Sequence, residues 1–86
     1  MKLSNDFIAH LTDEQSVLVP VGGTAFSGIV KGNAALGDLL SLLEQDRTEA
    51  ELVAAMLERY DAPESTLAAD VHAALERLRS IGALEE

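Results

Sequence analysis

The spacing of hydrophobic and polar residues changes about one third of the way along the chain. Before that point, three short runs rich in β-branched and aromatic side chains are separated by residues that favour turns. These runs cover residues 7–11, 16–21 and 26–31. The pattern predicts three antiparallel strands joined as a meander. Pro20 has no N–H to donate, so it is expected to turn away from the neighbouring strands or to lie near a strand end.

From Asn33 onward the hydrophobic residues follow a helical spacing. Positions 36, 39, 40 and 43 are all leucine, at i, i+3, i+4 and i+7, and Asn33 is placed to cap the first turn. Thr48 and Glu51 form the pattern of a capping box, which predicts a second helix running to about Tyr60.

A third helix is predicted after the break at residues 61–63. Pro63 suits the first turn of a helix, where an N–H is not needed, and Gly82 can adopt the left-handed conformation that ends one. The apolar stripe between them consists of Leu67, Val71, Ala74, Leu75 and Leu78. Three strands followed by three helices predict an α+β fold in which residues 1–86 form a single domain.

Composition limits the size and location of this domain. A chain of 86 residues builds one core, and with 48% hydrophobic but only 3% aromatic residues, aliphatic side chains must fill most of it. There is no cysteine, no signal-peptide pattern, and no apolar run near the roughly 20 residues that a membrane span requires. We therefore expect a cytoplasmic protein without a membrane partner.

The charge balance argues against nucleic acid as a partner. Fifteen acidic residues against six basic ones give a formal charge of −9, and such a surface repels phosphate backbones.

Candidate catalytic residues are few. His10 and His72 are the only histidines, and Asp70 lies two positions before His72, where side chains on a helix do not face each other. The glycines at 22–23, 28 and 32 do not form a phosphate-binding loop. Ser65 lacks the preceding aspartate found in carrier proteins. We predict no enzyme activity, no catalytic residue, no metal site and no cofactor.

Binding is the function that remains. A three-stranded sheet leaves at least one edge with unpaired N–H and C=O groups, and such an edge can accept a strand from a partner. The sequence leaves open whether that edge is instead blunted by Lys31, the nearby glycines and charge.

Several short segments, in their order and spacing, resemble the PQQ-biosynthesis protein D family over nearly the whole chain. The segments are Gly28-Ile29-Val30-Lys31-Gly32-Asn33, the leucine-rich helix ending Leu42-Leu43, Thr48-x-x-Glu51-Leu52, Tyr60-Asp61, Asp70-Val71 and Leu78-x-x-x-Gly82-Ala83-Leu84.

The resemblance implies a winged-helix-like peptide-recognition domain, of the type called a RiPP recognition element. Such a domain acts as a peptide chaperone: it binds the leader of a ribosomally made precursor peptide and presents it to a separate modifying enzyme, often a radical SAM enzyme. PQQ biosynthesis is one of several pathways that the family serves. The leader is expected to add as a strand beside the third strand and to lie against the third helix. The implied contact residues are Phe26, Ile29, Val30 and Lys31 on the strand and Leu67, Val71, Leu75 and Arg79 on the helix.

Two alternatives remain. The helical half could be that of a winged-helix transcriptional regulator, although the third helix carries Asp70 and Glu76 as well as Arg77 and Arg79, which leaves no basic face for DNA. The exposed strand edge could also join two copies in a strand-exchanged homodimer.

Overall fold

A computed structural model of the chain describes residues 1–12, 14–21, 28 and 30–86. Within these residues, the predicted order of strands followed by three helices is confirmed. The elements are β1 (Lys2–Leu3), β2 (Phe7–Leu11), β3 (Gln15–Pro20), β4 (Val30–Asn33), α1 (Ala34–Leu42), α2 (Glu49–Arg59), α3 (Glu64–Ser80) and β5 (Leu84–Glu85). No helix in these ranges is both long enough and apolar enough to cross a membrane.

The main sheet is the predicted antiparallel meander, in the order β2-β3-β4. Pro20 is the last residue of β3, which agrees with the expectation that its missing N–H places it near a strand end. The third strand was predicted at 26–31 but is described over Val30–Asn33, because Gly32 and Asn33 continue the pairing with Ser16 and Gln15. Residues 26, 27 and 29 lie outside the described part of the chain.

One face of this sheet covers the core. Leu18 lies at the centre of that face, directly opposite Ala9 on β2 and Val30 on β4, and it is fully buried. The alternate positions, such as Ile8 and Lys31, point to the other face and are exposed. The period of two in the sequence therefore places the hydrophobic residues against the helices.

The helix starts follow the predicted capping chemistry. Asn33 accepts a hydrogen bond from the Leu36 N–H at 3.0 Å. Thr48 and Glu51 form a complete capping box: the Thr48 hydroxyl accepts from the Glu51 N–H, and the Glu51 carboxylate accepts from the Thr48 N–H at 2.8 Å. Pro63 was predicted inside the first turn of α3 but lies one position before it, with its carbonyl accepting from the Leu67 N–H.

The end of α3 connects the two termini. Gly82 has a φ of +76°, the Gly82 N–H donates to the Arg79 carbonyl, and the Ala83 N–H donates to the Leu78 carbonyl at 2.9 Å. This pair of bonds is a Schellman motif, which agrees with the predicted glycine cap. It directs the chain into β5, which pairs with β1 in a second, two-stranded sheet that the sequence pattern did not predict.

A single hydrophobic core joins the sheet to the helices. All three helices contribute, and its members are Phe7, Leu18, Val30, Leu39, Leu40, Leu42, Leu43, Leu52, Met56, Leu67, Val71, Leu75, Leu78 and Ala83. Among these described residues Phe7 is the only aromatic one, and aliphatic side chains form the rest, as the composition predicted.

Candidate functional site

Strand β4 lies at one edge of the main sheet. It pairs with β3 along one side, and no strand within the described residues pairs with its other side. Among the residues that the structure describes, the N–H and C=O groups on that side therefore have no strand partner, which is the arrangement that strand addition requires.

A cavity of about 220 Å³ lies between β4 and the C-terminal half of α3. Its walls come from β4, the first turn of α1 and one face of α3. The lining residues are Val30, Gly32, Asn33, Leu36, Ala74, Arg77 and Leu78.

A larger cavity of about 520 Å³ continues along α3 towards its N-terminal half. Helix α1 and the turn between α2 and α3 form its other walls. The residues lining this cavity are Asn33, Ala35, Leu36, Leu39, Met56, Tyr60, Asp61, Ala62, Leu67, Asp70, Val71 and Ala74. Asn33, Leu36 and Ala74 line both cavities, so the two lie side by side along α3, and together we call them the β4–α3 groove.

Helix α3 contributes two adjacent stripes of residues. One stripe is buried in the core and consists of Leu67, Val71, Leu75 and Leu78. The other consists of Asp70, Ala74 and Arg77, at i, i+4 and i+7, and it forms the wall of the groove. The core stripe supplies the floor of the groove at Leu67, Val71 and Leu78.

The corner between β4 and α1 is tightly packed. The Ser16 side chain is fully buried, and its hydroxyl donates to the Asn33 carbonyl at 3.0 Å. A Cβ atom added at Gly32 would lie 2.3 Å from Leu36 Cδ2 and 2.9 Å from Ser16 Oγ. Gly32 therefore lets Leu36 lie against the strand, where this leucine lines both cavities.

The far wall of the larger cavity is held by a side-chain contact between α1 and the end of α2. The Tyr60 hydroxyl donates to Asp38 Oδ2, and Arg59 lies 3.5 Å from the other oxygen of the same carboxylate. The hydrogen bond to Asp38 raises the pKa of the Tyr60 hydroxyl above its usual value, with partial burial adding in the same direction. The phenol is therefore neutral at physiological pH and remains a donor.

Some of the contact residues that the resemblance implied line the groove, whereas others lie in the core or outside the groove. Val30, Leu67 and Val71 line the groove. Leu75, by contrast, has an exposed fraction of 0% and lines neither cavity, so it belongs to the core.

The two cations of the implied set lie outside the groove lining. Lys31 is exposed on β4, one residue from Val30. Arg79 forms ion pairs with Glu76 and, at 2.8 Å, with Glu86, and these carboxylates raise the pKa of its guanidinium. Phe26 and Ile29 fall outside the described residues.

Sequence reasoning missed several residues of the groove, chiefly Gly32, Leu36, Ala74 and Arg77. The prediction selected the most apolar stripe of α3, which is the core stripe. The groove wall could have been found from the neighbouring stripe of α3, which is less apolar and consists of small and charged residues.

The groove can hold a ligand through its shape and through hydrogen bonds. Among the described residues, no group of three or more His, Cys, Asp or Glu side chains is arranged to hold a metal ion. What the arrangement provides is an open strand edge above an apolar trough, which suits an extended peptide.

Comparisons with known proteins agree with this architecture. A solved structure described as TbiB1 in complex with the TbiA(beta) leader peptide matches with a TM-score of 0.82 and 25% sequence identity, covering 99% of this chain and 95% of that chain. No curated protein gives a significant match. The family model for coenzyme PQQ synthesis protein D (PqqD) matches residues 14–84, and the chain thus belongs to the PqqD family.

Proposed function

We propose that this protein binds the leader segment of a ribosomally made precursor peptide and presents it to a separate modifying enzyme. The observation that carries the proposal is the open edge of β4 above the β4–α3 groove. Membership of the PqqD family supports it, as does the likeness to a structure that contains a leader peptide. In this proposal residues 1–86 act as one peptide-recognition domain.

Binding would use strand addition together with side-chain burial. The leader would pair with the free side of β4, and each main-chain hydrogen bond would contribute about 0.5–1.5 kcal/mol net. Alternate leader side chains would point into the groove, over Leu36, Val71 and Ala74. Because a disordered leader loses conformational entropy when it docks, we expect micromolar to submicromolar affinity.

The contact set follows from this geometry. On the strand side it comprises Val30 and Lys31, with Phe26 and Ile29 retained from the sequence. On the helix side, Leu67 and Val71 form the floor and Ala74 and Arg77 form the wall. Leu75 and Arg79 would act indirectly, by holding α3 in place.

The chemistry would belong to the partner enzyme, for which we propose a radical SAM enzyme acting in the cytoplasm. The chain itself would contribute affinity and positioning without a catalytic step. A strand-exchanged homodimer would occupy the same β4 edge, so a leader that binds there should dissociate such a dimer. Light scattering at several protein concentrations, with and without leader, measures this competition.

A titration followed by NMR tests the proposal. The leader encoded beside this gene is added to the ¹⁵N-labelled chain, and the amides of residues 26–31 and of the groove face of α3 should shift. A74R places a long charged side chain between the two cavities and should weaken binding at least tenfold.

The matched control is A73R, because Ala73 directly precedes Ala74 on the same helix but is exposed and lines neither cavity. It should change the affinity less than twofold. The proposal fails if the leader shifts none of these amides, or if A74R and A73R bind it equally well.

A further inference from the structure

The two ends of the β4–α3 groove carry opposite charges. Asp61 and Asp70 line the larger cavity, while Arg77 lines the smaller one. No basic side chain lines the larger cavity, and no acidic side chain lines the smaller one, within the described part of the chain. The groove is therefore polarised along its length.

These three side chains make no hydrogen bond or ion pair with any other described residue. Arg79, only two positions after Arg77, is paired with both Glu76 and Glu86. A chain with fifteen acidic residues and six basic ones offers many partners to a cation, yet Arg77 faces the groove without one. The charges at both ends of the groove are therefore available to a ligand.

The distance between the two ends sets the spacing of complementary charges. Asp70 and Arg77 are seven residues apart on α3, which is about 10 Å along the helix axis. An extended peptide covers about 10 Å in three residues, and its side chains on one face recur every second residue. A charge pair two to four residues apart on the peptide can therefore reach both ends.

Building on the proposed function, we propose that the groove selects a leader segment with an apolar side chain flanked by two opposite charges. The cation lies beside Asp61 and Asp70, and the carboxylate lies beside Arg77. The apolar side chain lies between the two charges, in the part of the groove lined by Val71 and Ala74. The ligand class is thus a dipolar, apolar-centred peptide segment.

Asp61, Asp70 and Arg77 are exposed, so an ion pair between any of them and a peptide has a modest effect on affinity. Exposed ion pairs contribute a factor of about two to five in affinity, and added salt weakens them. Inverting both charges of the groove changes two attractive pairs into two repulsive ones. We expect this inversion to weaken a well-matched peptide by about 10-fold to 100-fold at low salt.

A selection experiment tests the proposal without knowledge of the natural leader. A library of random 12-residue peptides is displayed and selected on the wild-type chain, on the double variant D70K/R77E, and on K2E/E58K. Asp70 and Arg77 are exposed, so their exchange should leave the fold intact, which circular dichroism checks. Lys2 and Glu58 are exposed and line neither cavity, so their exchange makes the same charge change away from the groove.

The wild type and K2E/E58K should enrich peptides with an apolar residue and opposite charges two to four positions apart. A peptide that pairs with β4 in one direction keeps that direction on all three chains, so D70K/R77E should enrich the same pattern with the charge order inverted. Enriched peptides that shift the amides of β4 and α3 but show no charge order, or the same order in both double variants, overturn this inference alone. If no library peptide and no leader binds at β4, the proposed function itself fails.

Discussion

The variant G32A tests the packing at the β4–α1 corner. The backbone of Gly32 has no positive φ, so alanine meets no conformational barrier there. The added methyl group would instead lie 2.3 Å from Leu36 Cδ2, 3.0 Å from Leu36 Cβ and 2.9 Å from Ser16 Oγ. The Ser16 hydroxyl is held by its bond to the Asn33 carbonyl, and Leu36 must therefore move.

Two effects set the magnitude for G32A. Replacing glycine by alanine restricts the unfolded chain and stabilises a protein by about 0.4–1 kcal/mol. Overpacking at a close contact destabilises by about 1–3 kcal/mol. The overpacking is larger, so we expect a net loss of about 1–2 kcal/mol, which for a domain of this size lowers the Tm by about 5–15 °C.

Gly37 is the matched control, because it faces the same serine from α1. A Cβ atom at Gly37 would lie 3.4 Å from Ser16 Cβ and 3.5 Å from Leu11 Cδ2, which are ordinary contacts. The position is inside a helix, where alanine is favoured over glycine by about 0.5–1 kcal/mol. G37A should therefore stabilise the protein while G32A destabilises it.

A double-mutant cycle measures the effect of G32A on the free energy of unfolding. It compares urea unfolding of the wild type, G32A, L36A and G32A/L36A. In the L36A background the closest clash, with Leu36 Cδ2, is removed, while those with Ser16 Oγ and with the Cβ of residue 36 remain, so G32A should lose about half of its destabilising effect. Equal effects of G32A in both backgrounds, within about 0.3 kcal/mol, would refute the assignment to Leu36. A stabilising G32A would refute the close packing itself.

Four further predictions concern the helix ends and the wall of the groove. G82A should destabilise by about 1–2 kcal/mol in urea unfolding, because its φ of +76° is unfavourable for alanine although no atom lies within 4 Å, and G82N should lose less. T48A should lose about 1 kcal/mol of stability with the capping box. The hydrogen bond from the Thr48 N–H lowers the pKa of the Glu51 carboxyl. The stability from this bond is therefore present above the ordinary carboxyl pKa and is lost as the pH falls through the folded pKa. In unfolding experiments at several pH values, E51Q should lose less stability than the wild type on acidification. Tyr60 is the only tyrosine, and its ultraviolet titration should have a midpoint above 10 because its hydroxyl donates to Asp38. The stability from this bond is present below pH 10 and is lost at higher pH. D38N should return the titration midpoint towards 10.

Local chemistry explains which elements the sequence could predict. The cap at Asn33, the capping box at Thr48 and the left-handed Gly82 each depend on residues within a few positions of one another. Such signals can be read from a single segment, and all three are confirmed. The meander was also predictable, because consecutive antiparallel strands need only short turns.

Elements that depend on distant residues were not predictable. Strands β1 and β5 are two residues each, and they pair Lys2 with Glu85 and Leu3 with Leu84 across nearly the whole chain. Neither segment is long enough to show the alternation of apolar and polar residues that predicts a strand. Their pairing exists because the Schellman turn at Gly82 directs the chain back towards the N-terminus.

Only some of the α3 residues that line the groove were among the contact residues named from the sequence. A helix packed on one side buries the stripe that is most apolar, and that stripe gives the strongest signal in the sequence. A peptide groove needs a second stripe, rotated from the first, whose side chains are small enough to leave space and polar enough to meet water when no peptide is bound. Ala74 supplies the space, while Asp70 and Arg77 supply the polarity. On α3 the groove wall is thus a small residue flanked by opposite charges beside the core stripe, whereas Leu75, the most buried residue of the helix, lies on the stripe that holds the fold together.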